Sequence, residues 1–251
     1  NAYSLIKINN CVVRFDVGTY VYDHISQKGS VVYALGGIIN MTGAEFYNNY
    51  ATQKGGVFYI TDGAMLNISR ASMHDNGVFD GNIMTKSGGV VFAQDGCQIA
   101  ISDNSNFANN GAENGGAVYI NCQGITSTIE QSEFAGNRAS MSGGAVLVEN
   151  GKVVISNNSI FYSNTANNFG GAIAMYDGEL FVDNSIIGST EKEHGENVAM
   201  NMGGGLYVQG GIVTIKNSEF SSNTALIGGN IYLSSDKTAN ISDTSIVNGN
   251  A

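Results

Sequence analysis

Residues 158–180, NSIFYSNTANNFGGAIAMYDGEL, set a phenylalanine (Phe161), an asparagine three residues later (Asn164), an alanine two after that (Ala166) and then a Gly-Gly pair (Gly170-Gly171) that opens an apolar run. The same phrase returns along the whole chain. The Gly-Gly position recurs at Gly29 (as Gly-Ser), Gly55, Gly88, Gly115, Gly143, Gly170, Gly203 and Gly228. The Phe-x-x-Asn phrase, or an apolar variant of it, recurs at Phe46/Asn49, Met73/Asn76, Phe107/Asn110, Phe134/Asn137, Phe161/Asn164, Ile187/Thr190, Phe220/Asn223 and Val247/Asn250. Most steps are 26 to 28 residues; two are 33 or 34, with the excess read as lying between the Asn position and the next Gly-Gly. A fixed period of this size marks a solenoid.

Each Gly-Gly is followed by a strand-like run such as VFYIT, AVYIN or AVLVE, then by a turn such as Asp62-Gly63, Asp95-Gly96, Asn150-Gly151, Asp177-Gly178 or Gly210-Gly211, then by a second β-type run such as KVVIS. No segment carries a helical period. One such unit buries too few aliphatic side chains to offset the entropy of ordering it, so the units must stack, backbone on backbone about 4.8 Å apart. The predicted fold is all-β: a right-handed parallel β-helix of about eight coils of ~27 residues, with residues 29–251 as the repeats and 1–28 as an irregular first coil or cap. Phe107, Phe134, Phe161 and Phe220 are expected in one inward stack, with Ser105, Ser132, Ser159 and Ser218 beside them. Asn110, Asn137, Asn164 and Asn223 are expected in a corner ladder, where Asn tolerates left-handed backbone, and Ala51, Ala112, Ala139, Ala166 and Ala225 in a tight place next to it.

The combined pattern F-x-x-N-x-A-x(2–3)-G-G-[AV]-[VI] resembles the repeats of the chlamydial polymorphic outer-membrane proteins, whose signatures are G-G-A-[ILV] and F-x-x-N. Phe161, Asn164, Gly170, Gly171, Ala172 and Ile173 match both, as do Phe134, Asn137, Gly143, Gly144, Ala145 and Val146. The resemblance implies a surface-exposed passenger segment that works as an adhesin, extracellular or at the cell surface. In that family a carboxy-terminal membrane barrel exports the passenger; these residues contain no such barrel.

A formal net charge of −10 disfavours nucleic acid and anionic membrane surfaces, since carboxylates offer neither any counter-charge. No apolar run is long enough to insert into a membrane, and the opening residues NAYSLIKINN lack the regions of a signal peptide and an initiator Met, so the sequence reads as a mature fragment or a segment of a longer chain. No cofactor is expected. Cys11, Cys97 and Cys122 have no metal-binding spacing; a Cys97–Cys122 bridge between neighbouring coils and buried free thiols both remain open.

Alternation after Gly-Gly turns Val118 and Ile120 inward and Tyr119 outward, which predicts an outward ladder of Tyr33, Tyr59, Phe92, Tyr119, Leu147, Ala174, Tyr207 and Tyr232. Its aromatic members are candidate contacts for a glycan or a laterally packed partner, against the plainer reading of self-stacking surface rings. His24, His74 and His194 fall in or beside longer corner loops, with Asp80, Glu191, Glu193 and Glu196 near them, but the coil spacing separates these loops too far for one metal ion. The recurring Asp-Gly aspartates read as turn chemistry rather than as paired catalytic acids, and no basic partner accompanies them. Asn40, Asn67, Asn157 and Asn240 head N-x-[ST] sequons, all on second strand segments, and are candidate N-glycosylation sites. The expectation is a non-enzymatic extracellular structural or adhesive rod. Its open edge at SIVNGNA would meet either more chain or another subunit end to end; the rod would otherwise pack laterally, or bind a glycan or protein of a cell surface. The alternative is a carbohydrate-binding or polysaccharide-degrading β-helix.

Overall fold

The computed structural model describes residues 3–79, 82–83, 85–189, 194–234 and 238–250. Asp80, Thr190, Glu191 and Glu193 lie outside these. The described chain is all strand and turn, and equivalent residues of successive coils pair in parallel: Phe107 with Phe134, Phe134 with Phe161, and so on. Each coil has three principal faces and a short fourth one. The first face is the strand after Gly-Gly, for example Val91–Gln94 and Leu206–Val208. The second follows the turn, as in Ile38–Thr42 and Met65–Ser69. Val118–Glu130 and Val146–Ser156 run through that turn without a break, so the two faces join in a 16-stranded sheet. The third face is a 9-stranded sheet built on the Phe positions, and the fourth is the short strand after the ladder Asn, as in Arg138–Ser142.

Inward positions from all faces form one continuous core. Phe107, Phe134 and Phe161 stack at 4.7 Å between ring centroids, within 7° of parallel; Ile187 separates Phe161 from Phe220. The corner depends on both glycines, each for its own reason. Gly143 has φ +68°, a left-handed conformation that costs an L-residue about 1–2 kcal/mol. At Gly144 the constraint is space, since a Cβ there would lie 1.9 Å from the carbonyl oxygen of Gly171 in the next coil. In the first instance Ser30 replaces the second glycine, and its hydroxyl donates to the Gly56 carbonyl.

The buried asparagine ladder is fully bonded. Asn137 Oδ1 accepts from the backbone N–H of Asn110 (3.1 Å) and from its Nδ2 (3.0 Å), while Asn137 Nδ2 donates to Asn164 Oδ1 (3.0 Å) and to the Phe107 carbonyl (2.8 Å). Left-handed backbone falls on the residue before it, at Asn48, Asp75, Asn109, Ser163 and Ser222, not on the ladder Asn itself.

Two expected rungs are corrected. After Ile187 the ladder position is filled by Asn197, which takes the bond from Asn164 (2.9 Å), so this insertion precedes the Asn rather than following it. The spacing Asn197-x-Ala199 and six residues to Gly203 repeats that of Asn164, Ala166 and Gly170. In the last coil the register runs one residue earlier than Val247/Asn250, because Phe220 pairs with Ile246 and Thr224 with Asn250. That leaves Gly249 at the ladder position. Asn230 fills the vacant place: its Oδ1 accepts from Asn223 Nδ2 (2.8 Å), and a Cβ on Gly249 would meet its amide at 2.6 Å.

Residues in the 1–28 stretch pair in register with the following coil through Ile6–Asn9, Val12–Phe15, Tyr20–Tyr22 and Ile25–Lys28. Phe15 also sets its ring edge-on to Phe46 at 5.2 Å.

Candidate functional site

The first-face aromatic column exists, but it is largely roofed. Rings of Tyr33, Tyr59, Phe92 and Tyr119 stack at 4.8 to 5.4 Å, and Tyr207 stacks on Tyr232. Tyr59, Phe92 and Tyr207 are nevertheless only 4%, 2% and 6% exposed, while Tyr33, Tyr119 and Tyr232 are half-buried. At Tyr59, Phe92 and Tyr207 the cover comes from the residue just before the preceding coil's glycine pair (Gly-Ser at Gly29), which leans onto the ring of the next coil. Lys28 Nζ lies 5.1 Å from the Tyr59 centroid and Lys54 Nζ 4.2 Å from that of Phe92, cation–π contacts that hold the lysine stems over the rings. Farther along, Phe169 stacks on Tyr207 at 4.5 Å and Met202 packs beside it. Burial pushes the Tyr59 phenol up to about 12. The open platform anticipated for partner or glycan contact is therefore a covered one.

A second aromatic column, not anticipated, runs along the outside of the third face. Tyr22, Tyr47 and His74 stack at 4.9 and 5.2 Å. Ala108 and Ala135 take the next two rungs, and Tyr162 the one after. At the following rung the strand offers only Gly188, and His194 supplies a ring from the insertion, stacked 4.0 Å from Tyr162. Each of these side chains except that of His194 belongs to the residue immediately after the inward residue of its strand (Val21, Phe46, Met73, Phe107, Phe134 or Phe161), so the column was legible as the position after that residue.

Carboxylates fix the rings. His74 Nε2 meets Glu45 Oε1 at 2.9 Å and Nδ1 meets Asp75 Oδ2 at 2.8 Å. Burial pulls the His74 pKa down, but hydrogen bonds and charge from Asp75 and Glu45 outweigh it, and the net shift is upward. Tyr162 donates its hydroxyl to Glu133 at 2.5 Å; burial first, then this carboxylate, push the phenol up to about 12.

The three histidines stay apart. His24 Nε2 contacts the Tyr3 carbonyl (3.2 Å), His74 sits in the strand Ser72–His74 rather than in a loop, and His194 stacks on Tyr162. Among the described residues no group of three or more His, Cys, Asp or Glu side chains is placed to hold a metal. The turn aspartates serve the turns: Asp62 and Asp95 adopt left-handed φ, and Asp95 accepts from the Thr61 hydroxyl at 2.8 Å. Cys97 and Cys122 are buried free thiols, pushed by burial to about 11 and about 12, and Cys11 is an exposed free thiol.

Of the sequons, Asn40 and Asn67 lie half-buried on second-face strands and bond to each other (2.8 Å), and Asn240 is exposed on its strand. Asn157 sits past the strand end Val146–Ser156, in left-handed backbone, which corrects its placement on a strand.

Fold and surface together define a parallel β-solenoid whose coils are registered by Phe, Asn and Gly ladders. Comparison of the chain with protein-family models, with curated proteins and with solved structures gives no match.

Proposed function

We propose that this chain is a non-enzymatic structural and adhesive rod of an extracellular or cell-surface assembly, joined end to end through its last coil. The observation that supports this is the state of inward positions there. Leu233, Ile241 and Ile246 are 39–46% exposed, whereas Val208, Ile215 and Phe220, their partners one coil back, are buried. Such side chains and the free strand edges Ala239–Ser242 and Ser245–Val247 match the underside of another coil. More chain or a second copy of this one supplies it, and the rod reading takes the second copy. The repeat resemblance to chlamydial surface passengers points the same way.

Sedimentation and negative-stain imaging of the 251-residue chain over a concentration series test the assembly. Rods that lengthen with concentration are expected; a strictly monomeric rod at all concentrations overturns it. Release of new reducing or unsaturated ends from an acidic polysaccharide would overturn the non-enzymatic part. Antibody labelling of intact source cells checks the location.

A further inference from the structure

The ring column on the third face is interrupted at one place only among its described rungs before Gly188, and both sides of the interruption are held in position. His74 ends one run of rings, backed by Tyr47 and Tyr22 and pinned through both nitrogens by Glu45 and Asp75. Tyr162 begins the next, backed by His194 and pinned through its hydroxyl by Glu133. Three register steps separate them, His74 to Ala108 to Ala135 to Tyr162, so the two ring planes stand about 14 Å apart at a strand spacing of about 4.8 Å. The floor is two alanine methyls. That leaves room for two further rings at the column's own spacing.

The chain itself demonstrates what such a rung takes. Where the strand offers Gly188 and no ring, the insertion delivers the imidazole of His194 onto the face of Tyr162. At Ala108 and Ala135 no described side chain does so. The strand edge beside this notch carries two acceptors: Glu133, one oxygen of which takes the Tyr162 hydroxyl, and its register partner Asn106, two residues before Ala108 on the same outward side, whose Oδ1 is buried and has no hydrogen-bond partner among the described residues. Acceptors with unused lone pairs suit a ligand that brings hydroxyl groups, and the carboxylates together with the net charge of −10 turn away anionic ones.

We propose that the notch between His74 and Tyr162, floored by Ala108 and Ala135, is a binding site for neutral sugar rings. The rings stack their C–H faces on the two walls and give hydroxyl hydrogen bonds to Glu133 and, once its amide turns outward from its buried position, to Asn106. Because both walls are preorganised, little ordering cost opposes binding. The site goes beyond the rod reading and does not depend on end-to-end assembly.

The test plugs the notch without touching its walls. Wild-type chain and the variants Ala135→Phe and Ala108→Phe are applied to an array of neutral oligosaccharides, and array ligands are titrated in solution by following the Tyr162 and His74 resonances. Wild type is expected to bind neutral glycans, and each plugged variant to bind them at least tenfold more weakly with an undiminished thermal midpoint, since the new ring completes the stack. If a plugged variant does not fold, His74→Leu, which removes one wall from an exposed face, takes its place with the same expectation. Absence of any neutral-glycan binding by wild type, or binding that survives the plug, overturns the proposal. So does a plug that changes only association with a protein, because aromatic side chains of a partner would then be the occupant.

Discussion

Asn137 shows how much a single residue carries in a stacked fold. Its oxygen serves two donors of Asn110 and its amide serves Asn164 and Phe107, all in the interior. Asn137→Ala strands the Asn110 backbone N–H, takes one of the two acceptors of Asn110 Nδ2 and removes a donor from the Phe107 carbonyl, and should cost about 3–5 kcal/mol in urea unfolding, whereas Asn250→Ala, at an exposed residue outside the ladder, should stay within about 0.5 kcal/mol. Gly144→Ala should be comparably severe, at least about 2 kcal/mol, because its methyl group would meet backbone rather than a movable side chain. His74 supplies a pH signature. Its folded pKa lies above the unfolded value of about 6.5, so its protonated form is favoured in the folded state. That stabilisation is fully present below about pH 6.5 and fades as pH rises through the raised folded value. The stability difference between wild type and Glu45→Gln should be larger at pH 5.5 than at pH 8.5; an equal difference at both would refute the charge contribution.

At the scale of an element, the long departures from the repeat fall at corners, while the short fourth-face strands carry one-residue bulges, as between Ala112 and Asn114. The strand Val118–Glu130 absorbs extra residues between Cys122 and Thr126 opposite an unbroken Gly151-Lys152. The insertion before Gly88 folds as a small antiparallel pair, Val78–Phe79 with Asn82–Ile83, and the other long one enters between Gly188 and Asn197. A one-residue slip carried along a strand would turn every inward side chain outward, so long insertions are confined to corners. One coil is consequently a removable unit. Excising residues 137–163, a 27-residue step, brings Asn164 under Asn110 and Phe161's successor coil into register with the remaining stack. The shortened chain should keep its β circular dichroism and cooperative melting, while excision of about half that length should abolish both.

For the whole molecule, each coil touches only its neighbours, so stability accumulates along one axis and is lowest where a coil has one neighbour. In the proposed end-to-end assembly, the exposed inward side chains of the last coil would form the contact. Ile246→Lys should leave the thermal midpoint within a few degrees, because this side chain is already 46% exposed, yet shift the concentration for rod lengthening upward at least tenfold in sedimentation. Unchanged assembly would place the contact elsewhere. Lateral packing through the first-face rings has little open surface to use, since Lys28, Lys54 and Phe169 already cover them.

The repeat by itself determined which residues lie over which. The spacing of Phe134 and Phe161, of Asn137 and Asn164, and of the Gly-Gly pairs dictates a parallel stack, because only that arrangement lets identical side chains bond to one another coil after coil. Exposure was decided by the tertiary structure. Whether Phe92 is a platform or is covered depends on the corner angle that carries Lys54 across from the preceding coil, and the rung left by Gly188 is filled by His194 from an insertion that has no counterpart in the period. The slip that puts Gly249, and hence Asn230, at the foot of the ladder likewise depends on contacts between residues distant in sequence. Periodicity fixes neighbours along the axis; the sideways neighbours, which make the candidate site, follow from how the corners fold.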